Sequence, residues 1–136
     1  MSTPAPKGPV RLLRLPRELT GATVLRVQQR LTAALHGHPP HPPRVVLDAG
    51  GVHDCDAAGA TLLYAFASLA ADRGGEVRLA NIPTPILATL GDSGLFDIAA
   101  AFTTVTGAHA GDRAGQIAGQ PGQRPAWHTA DPAPPP

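Results

Sequence analysis

The sequence predicts an α/β fold, a single domain with a small mixed β-sheet and helices mainly on one face. Three observations predict it. Short apolar runs of strand length alternate with segments whose apolar residues recur at helical spacing. Gly and Pro punctuate the joins between them. The resulting order is strand, helix, strand, helix, strand, helix, strand, which suits a largely parallel sheet with crossover helices.

The elements follow in order. Met1 to Pro9 holds three Pro and no apolar periodicity, and reads as a loose, disordered segment. Val10 to Leu15 reads as a strand with Leu13 and Leu15 on one face and Val10, Leu12 and Arg14 on the other. Thr20 is placed to cap a helix in which Val24, Val27, Leu31 and Leu35 recur, with Arg26 and Arg30 outside. Gly37 ends it, and a stiff loop of His and Pro runs to Pro43. Arg44 to Asp48 is nearly all apolar, as a central strand buried on both faces would be. Asp56 is placed to cap a helix over about 57–73, with Ala58, Leu62, Ala65, Phe66 and Leu69 as its inner stripe and Gly74-Gly75 at its end. Glu76 to Ala80 alternates around Val77 and Leu79 as a strand. Thr84 is placed as the N-cap, with Pro85 at the first helical position, of a short helix lined by Ile86, Leu87 and Leu90, with Gly94 at its C-terminus. Phe102 to Val105 reads as a last strand. Residues 10–106 are thus the expected domain, and 107–136, with 5 Gly and 6 Pro, the expected disordered tail.

Composition narrows the function classes. The chain has 136 residues and a formal net charge of +1, which excludes a strongly basic nucleic-acid binder. The charge is uneven: residues 1–43 carry a net of +5 and residues 44–109 a net of −4. Cys55 is the single cysteine, so no intrachain disulfide and no cysteine-based zinc site can form. No apolar run is long enough for a membrane span, and no secretory signal is evident, so a cytoplasmic protein without direct membrane insertion is expected.

Three segments together resemble the STAS domain of anti-sigma factor antagonists. The run Val45-Val46-Leu47-Asp48, then Gly51-Val52, then Asp56-Ala57-Ala58-Gly59, is similar to that family's strand, aspartate, loop, D-S-x-G and helix. Ser93-Gly94-Leu95-Phe96-Asp97-Ile98 is similar to its S/T-G-L turn, and Leu15-Pro16-Arg17-Glu18-Leu19 lies where the family often has L-x-G-E-L-D. The resemblance spans about residues 10–105. It implies a non-enzymatic module that binds an anti-sigma factor of the serine-kinase type and thereby regulates transcription in a bacterium. The chain also departs from the family. Ala57 stands where phospho-regulated antagonists carry the modified serine, Ala58 replaces the next hydroxyl residue, and the last helix of the family falls on a weak segment near 107–120.

The candidate partner-binding residues are Asp54, Cys55, Asp56, Ala57, Ala58 and Gly59, at a helix start that favours carboxylates. A plainer reading stands beside it: Asp56 caps the helix and the small residues let it pack closely. Thr61, one turn after Ala57, carries the nearest hydroxyl that could substitute as phosphoacceptor, although a helical Thr more often bonds its own backbone. His36, His38 and His41 have intervening prolines and no nearby carboxylate, so no metal site is expected. His53 and Cys55 lack a placed third group for nucleophilic catalysis, no G-x-x-x-x-G-K-[ST] loop is present, and no cofactor or enzymatic activity is expected. Trp127 is an isolated aromatic in the tail. A second functional class stays open on the same residues: a STAS accessory subunit clasping the ATPase of an ABC-type lipid transport system, a class that also often lacks the serine.

Overall fold

The computed structural model describes residues 10–36 and 42–119. The segments 1–9 and 120–136, with Trp127, and the loop residues Gly37, His38 and His41 lie outside the described residues.

Strand β1 (Val10–Arg14) and the two-residue β2 (Glu18–Leu19) lead into helix α1 (Val24–His36). Strand β3 (Arg44–Asp48) is followed by the short β4 (Asp54–Cys55) and helix α2 (Ala57–Asp72). Strand β5 (Glu76–Ala80), helix α3 (Thr84–Asp92) and a 3-10 turn (Leu95–Asp97) come next. The described chain ends with β6 (Ala100–Phe102), α4 (Val105–Ala110), a second 3-10 turn (Arg113–Gly115) and β7 (Gln116–Ala118). The main sheet has the order β1-β3-β5-β6-β7, parallel throughout except for antiparallel β7, and β2 pairs with β4 in a separate parallel ribbon. It is the mixed α/β sheet that the alternation of runs predicts.

Side chains alternate across the central strands. Val45, Leu47, Val77 and Leu79 face α1, α2 and α3 and join the main core with Leu31, Leu63, Phe66, Leu90 and Leu95. Val46, Ala80 and Phe102 point the other way, onto Ala108 of α4. The continuous apolar run of β3 is therefore covered on both faces. Just past the end of β1, Leu15 is buried on the α1 face, while Leu12 of β1 is 56% exposed on the opposite one, as their alternation predicts.

Four expectations need correction. The buried face of α2 is Gly59, Ala60, Leu63, Phe66, Ala67 and Ala70. Leu62 is only half-buried, and Ala58, Ala65 and Leu69 are exposed. Apart from Asp72, nothing charged marks an outer face of α2, so periodicity carries little information about its phase. Gly59 decides the phase: a Cβ there would lie 2.0 Å from the Leu19 carbonyl oxygen, so this position faces β2 at closest approach. Second, the turn ahead of α1 is built by several groups: the Thr20 hydroxyl accepts from the Ala22 N–H at 3.3 Å, and the Thr23 carbonyl receives the first Val27 bond. Third, Pro83 is the N-cap of α3, and Thr84 is its first residue. Fourth, the boundary expected at 106 falls inside α4. Phe102 ends β6, Val105 begins α4, and β7 extends ordered structure to Ala118, across the segment expected to be tail. Thr104 caps α4 by accepting from the Gly107 N–H at 2.9 Å. The Arg78 guanidinium, buried beneath α4, donates to the Ala108 carbonyl at 2.8 Å and pairs with Glu76 at 2.8 Å. Small residues hold α4 close to the sheet, so the sequence there lacks the bulky apolar stripe by which a packed helix is recognised.

Candidate partner-binding site

The site is assembled on the β2–β4 ribbon. Glu18 registers with Asp54 and Leu19 with Cys55. The Arg17 carbonyl accepts from the His53 N–H at 2.7 Å and the Asp54 N–H at 3.2 Å, and the Leu19 carbonyl accepts from the Asp56 N–H at 3.3 Å. The chain then turns directly into α2.

Asp56 joins two loops. One carboxylate oxygen accepts from the Gly59 N–H at 2.9 Å, closing the α2 cap. The other accepts from the Gly21 N–H at 3.0 Å, across 35 residues of sequence. The Gly59 N–H first, then Gly21, holds the Asp56 carboxyl below the usual carboxylate range, because these donors favour its charged form. The capping role was legible in the sequence; the link to Gly21 was not, since nothing local marks a partner that distant.

Asp54, Asp56, Ala57, Ala58 and Thr61 are all exposed, and Asp56 and Ala58 form a rim with the exposed turn Gly21-Ala22. Gly59 does not belong to that rim: it is buried against Leu19, and its role is close packing. Cys55 is half-buried against the main core, and its thiol lies 3.7 Å from the Asp56 carbonyl. Burial, then the charge of Asp56, pushes the thiol pKa up, which keeps it protonated and weakly nucleophilic. Ala57, the first residue of α2, presents a methyl group where a hydroxyl would otherwise face solvent. Beyond it the outer surface of α2 carries no charge before Asp72. Of the three histidines considered for a metal, His36 is the last residue of α1. Among the described residues no group of three His, Cys, Asp or Glu side chains could hold a metal ion. No described helix is long and apolar enough to cross a membrane.

A mostly parallel sheet flanked by helices, with a short capped loop presented at the α2 start, defines a small α/β domain. Its family is shown by comparison: the family model described as "Mlab, STAS domain" matches residues 6–100, and the chain belongs to the STAS domain family. No curated protein matches the chain. Among solved structures it is similar to the murine Solute Carrier 26 family member A9 anion transporter in the inward-facing state, with a TM-score of 0.62 and 18% identity over 77% of this chain and 18% of that one. A second structure of SLC26A9 matches with a TM-score of 0.58 and 19% identity over 77% of this chain and 20% of that one. The chain thus spans about a fifth of each transporter, and at this identity the likeness concerns the fold.

Proposed function

We propose that the protein is a non-enzymatic binding module of the anti-sigma factor antagonist kind, held permanently in its unphosphorylated form. The observation that carries this reading is Ala57, exposed as the first residue of α2 beside the Asp56 cap. A methyl group takes up no phosphate, so the charge that would disrupt partner binding at this position cannot be added. The neighbouring Asp54, Asp56 and Ala58, with the uncharged outer surface of α2, form a face suited to a protein partner, an anti-sigma factor of the serine-kinase type. Binding there would leave a sigma factor free and so regulate transcription.

The same alanine favours a second reading, an accessory subunit gripping the ATPase of an ABC-type lipid transport system, and the family description naming Mlab supports it. The test is a titration of the parent, Ala57→Ser and Ala57→Asp against a kinase-type anti-sigma factor and, separately, an ABC ATPase subunit, each with and without ATP. On the first reading the parent binds the kinase regardless of ATP. Ala57→Ser loses binding only when ATP is present, and Ala57→Asp binds at least roughly tenfold more weakly, because a third carboxylate joins Asp54 and Asp56. Equal affinity of parent and a folded Ala57→Asp would remove this loop from the interface.

A further inference from the structure

The charge of the described domain is divided in space. Residues 10–36 carry five arginines against Glu18 alone, whereas residues 42–119 carry four arginines against eight acids. Part of the first group lies on or beside β1, the edge strand of the main sheet. The Arg30 guanidinium donates to the Arg14 carbonyl at 3.2 Å, which ties the flank of α1 to the end of β1. Arg26 lies one helical turn before Arg30 on the same flank. Arg17 follows three residues after Arg14, where its carbonyl holds the β4 strand. Arg14, Arg17, Arg26 and Arg30 are all exposed.

None of these four is in an ion pair among the described residues, unlike Arg78, which pairs with Glu76. Two of the nearby acids are engaged elsewhere. Glu18 accepts from the Thr20 hydroxyl at 2.9 Å, and Asp48 accepts from the Gly50 N–H at 2.9 Å and from the Asn81 amide at 3.2 Å. The Arg14 side chain leaves β1 on the face opposite α1, so the exposed guanidinium groups wrap around the sheet edge, and an arriving anion is attracted to them.

We infer that this arginine edge is a docking surface for carboxylates on an acidic segment of a protein partner. Guanidinium groups match carboxylates with paired hydrogen bonds, and four of them give both attraction at a distance and orientation on contact. The arrangement also argues for a protein over a membrane or a nucleic acid. Exposed Glu18 and Asp54 stand side by side in the β2–β4 register, next to Arg17. A uniform sheet or rod of phosphates would be pressed against these two carboxylates, whereas a protein surface of mixed sign can meet both. The inference rests on the preceding reading only in taking the partner to be a protein; its surface is centred on the α1 flank and adjoins the Ala57 face where Arg17 meets Asp54.

The probe is a fluorescently labelled glutamate-rich peptide, titrated into the full-length protein and followed by anisotropy. Binding is expected at about 0.1 M salt and is expected to be lost near 1 M, where the screening length falls from about 10 Å to about 3 Å. Arg26→Glu/Arg30→Glu is expected to weaken it by roughly tenfold or more, and Arg73→Glu/Arg113→Glu, with the same change in net charge, by less than about threefold. Arg26→Gln/Arg30→Gln provides a milder pair in case charge reversal unfolds the chain. Ala57→Asp in parallel separates the two surfaces, since peptide affinity should stay at the parent value. Equal losses from the two Glu pairs, or an equal loss from Ala57→Asp, would overturn the edge as the site. Binding to phosphatidylglycerol vesicles with none to the peptide would overturn the protein partner in favour of a membrane surface.

Discussion

Replacing Gly59 by alanine should destabilise the protein, although the same change in most helices is beneficial. A Cβ at position 59 would lie 2.0 Å from the Leu19 carbonyl oxygen, 2.7 Å from its carbon and 2.9 Å from Leu19 Cγ. Ordinary carbon contacts begin near 3.5 Å, so the shortfall is roughly 1.5 Å. The obstacle is backbone, and that backbone also receives the Asp56 N–H, so α2 has to retreat from β2. Over-packing of this kind costs about 1–3 kcal/mol and occasionally more, and a rigid obstacle places it at the upper end. The gain from alanine's helix propensity returns about 1 kcal/mol. The expected net loss of about 2 kcal/mol corresponds to a fall in Tm of roughly 10 °C for a domain of this size. Gly91→Ala is the matched control: it is helical and exposed, and its Cβ would meet only Phe96 ring atoms at 3.7 Å. It should stabilise by about 0.5–1 kcal/mol. Thermal denaturation of the parent and the two variants should therefore give shifts of opposite sign. A Gly59→Ala protein melting at or above the parent temperature would refute the close approach of α2 to β2.

Leu63→Ala should cost about 2–5 kcal/mol in urea unfolding, and Leu62→Ala clearly less, because Leu63 is fully buried and Leu62 only half so; the reverse order would mean that α2 is rotated. Arg78→Met should cost about 3–5 kcal/mol by leaving the Glu76 carboxylate without its partner, and adding Glu76→Gln should recover much of that loss in the same unfolding assay. Asp56 has a folded pKa below its unfolded value, so its contribution to stability is complete above the unfolded value of about 3.9 and is lost as pH falls through the lower folded value. Denaturation profiles at acid pH should accordingly be flatter for Asp56→Asn than for the parent, and superimposable profiles would dissociate the cap from folding.

Strand and helix identity were open to sequence reading wherever local chemistry decides. The apolar run Val45-Val46-Leu47 can only be a strand covered on both sides, Asp56 can satisfy the free N–H groups of the helix it precedes, and Gly74 and Gly94 stand at the positive φ values of 80° and 85° that end helices. The family resemblance was legible for the same reason, as its residues fall in these local units. Ala57 too was readable, because an absent hydroxyl is a property of one residue. The phase of α2 was not, since a helix with small apolar residues on every side carries no preferred face until a neighbouring backbone imposes one, and here Leu19 does so at Gly59. Nor was α4, whose place depends on Arg78, 30 residues earlier, reaching the Ala108 carbonyl. The rim of the candidate site joins Gly21 to Asp56 across 35 residues, and the arginine edge joins Arg14 to Arg30 across 16. Both pairings depend on the register of strands and the packing angle of helices, which arise only when the whole chain has closed around its core.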